Sequence, residues 1–557
     1  MEDSNPIAIA VLEQEKRENG VVLILPEPNQ DDPLVGKKKA ILSERSINLI
    51  FHLHDKDLVS PKPEEDTLLE QIIRAARILQ LNEAEWYFME DDDFGPFSPR
   101  NEMEALYLIY SITNDLCANS GENIDILHAL QTATVNKINF FANLDGENIG
   151  GLISTGETER ELLEWASTEG VKSKLNIADF EGYGRGTIAT ADLNVGDIAL
   201  EIPKLLIICE DSVLRSDMRQ VLENTDELAS ETTTLLWSMR ERHRLQSEFR
   251  PYFASLPKSF NTGLSFGIQA LTALEGTLLL EEIVQAKEHL RAQYENLCST
   301  LFTRNPEIFP PEFCTWDHFL WACELWYSNS MKVSFPDNKL KTCLVPVAGL
   351  LNHSLYPHVM HYGRVDPKSD TLKLYVSRPC KYGQQCFLSY GPLPSSHLVT
   401  FYGFLLRGDN VYDTIPIDLD LPQQLDLDNH LLGDVCDQIC HMVRGTWLSK
   451  SKRNKYGLPS RLLAALRTAF LDEDDLRLQQ QNLRYAVISK ENEAAVLEGI
   501  LSVLQPMLES IDQSDELTSE DQNWDVNLAM QFKDRQHRIV ASICESCLSG
   551  LQALDST

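Results

Sequence analysis

The chain has 557 residues, 43% of them hydrophobic, which is enough for two to four domains with buried cores. Its formal net charge of −35 argues against nucleic-acid binding through the overall field. The charge is compatible with basic peptides or protein tails as partners, or simply with solubility.

The sequence shows no membrane or export signal. No uninterrupted apolar run approaches the roughly 20 residues that cross a bilayer. The acid-rich start, M-E-D-S-N-P-I-A, lacks the basic residues of signal and transit peptides. We therefore expect a cytoplasmic or nuclear protein without a transit or signal peptide, and no membrane partner.

Twelve cysteines are scattered along the chain, which favours free thiols over disulfides. Cys436 with Cys440 and Cys544 with Cys547 form close pairs flanked by apolar residues at helical spacing. A lone close pair is a weak metal signal, so we predict packed thiols and no metal site.

Residues 1–150 are predicted to form a helical N-terminal extension, to which the sequence assigns no role. Apolar residues recur at helical spacing from Asp66, a plausible N-cap, to Leu81. Two further helices are predicted over Glu102–Ala118 and Ile124–Phe141. The composition of the Gly-rich segment Asp145–Gly156 predicts a linker.

A helix predicted from Thr158 to Gly170 leads into a β-rich segment over Phe180–Ile202, which begins E-G-Y-G-R-G. Such closely spaced glycines allow backbone to approach a ligand, or they form an ordinary tight hairpin. From Ser212 to Lys332 the pattern is helical, with helices predicted over Leu235–Phe249, Gly276–Leu297 and Trp316–Met331. This region indicates a helical insertion within a β-rich domain.

The segment Pro346–Phe404 carries the chemistry-bearing motifs. It reads P-V-A-G-L-L-N-H-S, then L-S-Y-G, then T-F-Y-G-F, and we interpret it as the floor of a ligand site. The chain from Asp418 to its end is again helical in pattern, with helices predicted over Asn429–Leu448, Ser460–Leu471 and Ala494–Leu508.

These motifs, in this order, resemble the SET-domain protein methyltransferases, in particular the branch of the Rubisco large-subunit methyltransferase. The resemblance covers roughly residues 155–557. It implies an α+β fold: a SET domain over 156–410, split by a helical insertion at about 212–335, and a helical substrate-binding lobe over 411–557.

The resemblance also implies the site and the reaction. S-adenosylmethionine would bind across the residues of the glycine turn and the Asn-His pair, namely Glu181, Gly182, Tyr183, Gly184, Asn352 and His353. Tyr390 would be the catalytic tyrosine beside the transferred methyl group and also contact the cofactor, and Tyr402 would line the substrate channel. The expected activity is methyl transfer to a lysine of a non-histone protein.

Two positions depart from the family pattern. Gly349 stands where an aspartate is usual, and Asn329 where an arginine holds the cofactor's carboxylate. Lys332 is a possible substitute for that charge. The departures keep open an alternative function, a catalytically weakened SET-like scaffold that acts as a protein-binding adaptor.

Overall fold

The computed structural model describes residues 21–54, 67–119, 124–143, 150–153, 156–223, 228–360, 364–417, 441–471, 485–513 and 523–556. Helices and short strands are combined in it, which confirms the α+β class. Cys436, Cys440 and the beginning of the helix predicted from Asn429 lie outside the described residues.

The N-terminal lobe, residues 21–143, has a hydrophobic core of its own. Its antiparallel hairpin pairs Val21–Ile24 with Ile50–Leu53. The helices are Val35–Glu44, Leu68–Leu79, Glu83–Phe88, Pro99–Asn119 and Ile124–Asn143, so the predicted helices of this lobe are confirmed. The predicted N-cap is wrong. Thr67 caps the second of these helices, because its hydroxyl accepts the backbone N–H of Glu70 at 3.3 Å; Asp66 lies outside the described residues.

The β core is made of short antiparallel strands, and all but Leu152–Ile153 follow the helix Glu157–Thr168. One sheet has the order Leu152–Ile153, Leu175–Phe180, Gly184–Ala189; a second has the order Thr371–Tyr375, Ile198–Pro203, Lys172–Ser173; and Ser330–Ser334 pairs with Leu340–Leu344. The strand before the insertion therefore pairs directly with a strand that follows it. This pairing is what a helical insertion within a β-rich domain requires.

The insertion contributes the helices Glu210–Leu214, Arg219–Glu223, Ser230–Glu241, Arg250–Ser255, Ile268–Ala273, Leu278–Leu297 and Trp316–Asn329. Many of its apolar residues share one hydrophobic core with the strands. The helix end predicted at Met331 is wrong. Ser330–Ser334 is a strand that buries Met331 and Val333 on one face, and alternation on the pleated surface prevails there over helical period.

The C-terminal lobe contains the strand pair Ile415–Ile417 and His441–Val443 and the helices Ser460–Ala469, Lys490–Gln513 and Trp524–Asp555. The helix predicted over Asn429–Leu448 is wrong in its described part. Val443 is buried in a strand, and Thr446–Leu448 forms a single 3₁₀ turn. Cys544 and Cys547 are buried in the lobe's core, as predicted, and burial raises the pKa of Cys547 to about 12.

Among the described residues, one helix, Lys490–Gln513, is long and apolar enough by length and composition to cross a membrane. Its apolar side chains Leu497, Ile500 and Leu504 are buried in the core of the C-terminal lobe. Packing within the lobe therefore accounts for the apolar face of this helix.

The two terminal lobes share a buried polar arrangement. The segments S-P-R-N-E, ending at Glu102, and S-K-E-N-E, ending at Glu493, lie at the start of a long helix in their respective lobes. Arg77 donates two hydrogen bonds to Glu102, at 2.5 and 2.9 Å, and Arg467 donates two to Glu493, at 2.6 and 2.7 Å. In both lobes the preceding asparagine donates to the main-chain carbonyl of that arginine, at 2.8 and 3.0 Å. The lobes thus lock a pair of helices in the same way.

The terminal lobes also contact each other. Arg461 of the C-terminal lobe donates to the carbonyls of Tyr87 and Met89, at 3.0 and 2.7 Å. The backbone N–H of Ser460 donates to the carboxylate of Glu90 at 3.0 Å. These contacts join residues 87–90 to residues 460–461, which are far apart in sequence.

Candidate active site

A cavity of about 540 Å³ opens between the β core and the helical insertion. The glycine turn, the Asn-His segment and both Tyr-Gly segments contribute to its walls. The lining residues are Gly182, Tyr183, Arg185, Leu256, Pro257, Phe260, Asn261, Thr262, Ser328, Asn329, Gly349, Leu350, Asn352, His353, Tyr390, Tyr402, Gly403, Phe404, Leu405, Leu406 and Arg407.

The glycine turn links the strands Leu175–Phe180 and Gly184–Ala189 at one edge of the cavity. Gly182 and Gly184 have φ of +77° and +65°, a conformation that side chains disfavour. A Cβ at Gly186 would lie 2.6 Å from Nδ2 of Asn352, so glycine is needed for this close approach. The turn therefore forms a tight hairpin with main chain at the edge of the cavity, and its approach to a ligand stays a prediction.

The Asn352–His353 segment lies alongside the residues before Tyr390, and His353 forms a parallel bridge with Leu388. The amide of Asn352 donates to the carbonyl of Arg185 at 3.2 Å, and its own carbonyl accepts the backbone N–H of Leu388 at 2.8 Å. Nδ1 of His353 accepts the backbone N–H of Tyr390 at 3.1 Å, so the neutral ring carries its proton on Nε2. Nε2 is buried without a hydrogen-bond partner among the described residues. His353, which lines the cavity, therefore carries a buried N–H donor that is unused among the described residues.

We expect stability to fall when the pH is lowered from about 6.5 to 4. Burial lowers the pKa of His353 to about 4, below its ordinary value near 6.5. Between these values the unfolded state binds more protons, so stability is full above pH 6.5 and decreases toward pH 4, by about 3 kcal/mol from this residue. Urea unfolding of the wild type and of His353→Gln across this range measures the effect.

Half-buried His243 adds to the slope in both proteins, because desolvation also lowers its pKa to about 4. The difference between the two proteins isolates His353. Equal pH dependence of the wild type and His353→Gln contradicts the prediction.

The tyrosines form a stacked wall. The rings of His353 and Tyr390 lie 5.1 Å apart at 23°, and those of Tyr390 and Tyr402 lie 4.9 Å apart at 24°. The Tyr390 hydroxyl donates to the carbonyl of Leu351 at 2.8 Å. Burial raises the pKa of Tyr390 above its ordinary value, so this hydroxyl stays protonated at neutral pH.

Tyr402 ends a π-helical turn, Leu398–Tyr402, which stops at Gly403 with φ of +75°. A Cβ at Gly403 would lie 1.6 Å from the carbonyl oxygen of Asn261. The second Tyr-Gly motif therefore serves close packing of Tyr402 against the insertion. Single turns of π-helix are frequent at functional sites.

Solved structures identify the fold. A structure of the SET domain of LSMT bound to lysine and AdoHcy aligns with a TM-score of 0.55 at 23% identity, over 72% of this chain and 93% of that one. The chain therefore has the fold of the SET domain of LSMT. Rubisco LSMT bound to AdoMet also aligns, with a TM-score of 0.52 at 22% identity, over 72% and 94% of the two chains.

Several protein N-methyltransferases are similar in sequence to this chain. The chloroplastic Rubisco large subunit N-methyltransferase of Pisum sativum is 30% identical over 209 residues, 37% of this chain and 41% of that protein. The [fructose-bisphosphate aldolase]-lysine N-methyltransferase of Arabidopsis thaliana is 27% identical over 200 residues, 36% and 40% of the two. The actin-histidine N-methyltransferase of Gallus gallus is 24% identical over 265 residues, 46% and 44%. Less than half the length of each of these relatives is covered.

The family model described as Rubisco LSMT substrate-binding matches residues 29–138. This stretch lies in the N-terminal lobe, whereas the sequence interpretation puts the substrate-binding lobe at 411–557. The match therefore falls on the lobe to which the sequence analysis assigns no role. The predicted domain limits at 150 and 410 stay predictions.

The two departures from the SET pattern are neighbours in space. A Cβ at Gly349 would lie 3.5 Å from Oδ1 of Asn329, so the missing acid and the missing arginine would have faced each other. The amide nitrogen of Asn329 donates to the hydroxyl of Ser328 at 2.7 Å. Lys332 does not replace the arginine: its Nζ donates to Thr342 at 2.6 Å, and it lies outside the cavity lining.

The structure brings most predicted site residues together. Those that line the cavity are Gly182, Tyr183, Asn352, His353, Tyr390 and Tyr402. Glu181 and Gly184 stand at the ends of the turn without lining the cavity, although the carbonyl of Glu181 accepts a hydrogen bond from Arg407 at 3.2 Å. The roles assigned to these residues stay predictions.

Sequence reasoning missed the roof of the cavity and Arg407. The roof comes from the insertion and includes Leu256, Pro257 and Phe260. A signal for it existed, since P-Y-F-A-S-L-P interrupts the helical pattern with aromatic residues and prolines. Arg407 lies beyond the last motif and carried no signal.

A separate buried group, His358, Cys380 and Cys386, has its possible ligand atoms within 4.8 Å of one another. Nε2 of His358 lies 2.8 Å from the Arg378 guanidinium, and Nδ1 accepts the backbone N–H of Phe387 at 3.1 Å. Both ring nitrogens are engaged and a guanidinium adds positive charge, which disfavours a cation here.

Proposed function

We propose that this protein is an S-adenosylmethionine-dependent protein N-methyltransferase that modifies a lysine of a non-histone protein. The observation that carries the proposal is the convergence, on one cavity, of the glycine turn, Asn352–His353 and the stacked pair Tyr390–Tyr402.

The residues at this cavity fit the cofactor. The glycine turn exposes main chain that can approach the cofactor. The buried Nε2–H of His353 has no hydrogen-bond acceptor among the described residues. A buried donor without a partner is costly, so an acceptor supplied by a ligand is stabilising. Asn352 and His353, with the turn, would hold the group.

Bound S-adenosylmethionine would supply an activated methyl group. The part of this chain is to admit the lysine side chain, keep its amine neutral and align it. Tyr390 and Tyr402 offer aromatic walls to the aliphatic stem, and burial lowers the pKa of an ammonium group and so favours the neutral amine. Alignment of reacting atoms supplies much of the rate in such a reaction, without a strong base.

The proposed partner is a protein and neither nucleic acid nor membrane, in a cytoplasmic or nuclear setting. The similar proteins named above act on Rubisco, aldolase and actin, none of which is a histone. The last of these modifies histidine, so a histidine acceptor is the alternative to lysine. The formal charge of −35 favours a substrate region with basic residues.

The second candidate function is a protein-binding adaptor on a SET-like scaffold. The facing positions Gly349 and Asn329, without the acid and the arginine, favour it. The unpaired Nε2–H of His353 and the stacked rings of Tyr390 and Tyr402 favour the enzyme.

Titration calorimetry with S-adenosylmethionine is the first test, and binding at micromolar to millimolar concentration is expected. Labelled cofactor is then added to a lysate of cells that lack the protein, with and without the purified protein. Protein-dependent labelled bands support the enzyme. Absence of binding at millimolar cofactor rules the enzyme out and leaves the adaptor.

A further inference from the structure

The cavity is positively charged in an otherwise acidic protein. Its lining contains Arg185 and Arg407 and no aspartate or glutamate, although the whole chain has a formal charge of −35. His353 adds no charge at neutral pH, because its pKa is lowered to about 4. The cavity therefore suits a ligand that carries an anionic group.

The two arginines are not equivalent. Nη1 of Arg185 lies 2.9 Å from the carboxylate of Glu159, so its charge is already compensated. The guanidinium of Arg407 donates to the carbonyl of Glu181 at 3.2 Å and lies over the Tyr183 ring at 4.9 Å. Within the described parts of the chain, no carboxylate forms an ion pair with Arg407. Its positive charge is available at the mouth of the cavity.

Gly182 makes room for this arginine. A Cβ at Gly182 would clash with Nη2 of Arg407, so any other residue there would force the guanidinium to move. The glycine turn thus lets a guanidinium reach the main chain of Glu181 at the edge of the cavity.

The loop that carries Arg407 is fixed on both sides by the C-terminal lobe. Arg535 donates to the carbonyl of Leu406 at 2.7 Å. Asp409 accepts from the indole of Trp447 at 2.8 Å and pairs with Arg538. Arg407 itself is exposed, but its backbone is anchored so that the side chain is directed across the turn.

We propose that Arg407 binds the carboxylate of the cofactor's methionine moiety and supplies the charge that Asn329 does not. This inference rests on the proposed function. A guanidinium offers several donors in a planar fork, so Arg407 can keep its contact with Glu181 while pairing with a carboxylate. The cofactor site of this protein then includes a contact organised by its C-terminal lobe.

The test compares S-adenosylmethionine with decarboxylated S-adenosylmethionine, which differs only by the carboxylate. Titration calorimetry is carried out on the full-length wild type, Arg407→Ala, Arg407→Lys and, as control, Lys332→Ala. Arg407→Ala is expected to weaken binding of S-adenosylmethionine about 10- to 100-fold and to leave the decarboxylated compound unchanged or bound more tightly. Arg407→Lys should recover part of the loss, and Lys332→Ala should match the wild type.

An equal loss for both compounds means that Arg407 only supports the glycine turn, and it overturns the proposal, as does the absence of any loss. Failure of the wild type to bind either compound refutes the proposed function itself, so the two failures are distinguishable.

Discussion

Tyr390→Phe is expected to lower kcat for methyl transfer about 100-fold while cofactor affinity stays unchanged. The Tyr390 hydroxyl donates its proton to the carbonyl of Leu351, so the lone pairs of its oxygen are directed away from that bond. The raised pKa keeps the proton in place at neutral pH. The oxygen is therefore a fixed acceptor beside the position proposed for the methyl group and the amine. Phenylalanine removes it and retains the ring that stacks between His353 and Tyr402.

A matched control separates this role from ordinary stability. Tyr294 also donates its hydroxyl to a backbone carbonyl, that of Cys314, at 2.9 Å, and it does not line the cavity. Tyr294→Phe and Tyr390→Phe should each cost about 1 kcal/mol of stability for the lost hydrogen bond. Only Tyr390→Phe should lower kcat, measured by single-turnover transfer of labelled methyl at saturating cofactor. An unchanged kcat in Tyr390→Phe contradicts the role of Tyr390 in the transfer step, and an equal loss in Tyr294→Phe assigns the effect to the lost structural hydrogen bond.

Local motifs made much of this site predictable from sequence. The glycine turn, Asn352–His353 and Tyr390 each depend on contacts with a few neighbouring segments, and the positive φ of Gly182 follows from a glycine at a tight turn. Helices with a clear apolar period, such as Leu68–Leu79, are predicted from the sequence with ends that lie within a few residues of those in the structure.

Features decided by distant contacts were not predictable. Arg407 reaches Glu181 across 226 positions of sequence, and the loop that carries it is held by Arg535. His441–Val443 is a strand because it pairs with Ile415–Ile417, although its sequence continues a helical pattern. In both cases a tertiary partner, invisible to local periodicity, decides the conformation.

The shared buried ion pair of the terminal lobes leads to the largest expected effect on stability. The side chains of Arg467 and Glu493 are 3% and 0% exposed and are joined by two short hydrogen bonds. Arg467→Met leaves the Glu493 carboxylate buried without a cation, which should cost about 3–5 kcal/mol. Hydrogen exchange of amides in the helix Lys490–Gln513, together with urea unfolding, reports this loss in the C-terminal lobe.

The double variant Arg467→Met with Glu493→Leu decides whether the pair itself or the unpaired charge matters. Breaking a buried pair on one side is far more costly than replacing both partners by apolar groups of similar volume. The double variant should therefore recover most of the stability lost in Arg467→Met. The exposed pair of Arg291 and Glu295, with side chains 54% and 68% exposed, provides the control. Glu295→Leu leaves the contact of Arg291 with the Trp316 ring in place and should change stability by less than about 0.5 kcal/mol. Equal losses in the single and double variants would mean that packing of the arginine stem, rather than its charge, holds the two helices together. The same comparison at Arg77 and Glu102 is less clean, because Arg77 also pairs with Glu70 at 2.8 Å, and for this reason the C-terminal lobe is the better place to measure it.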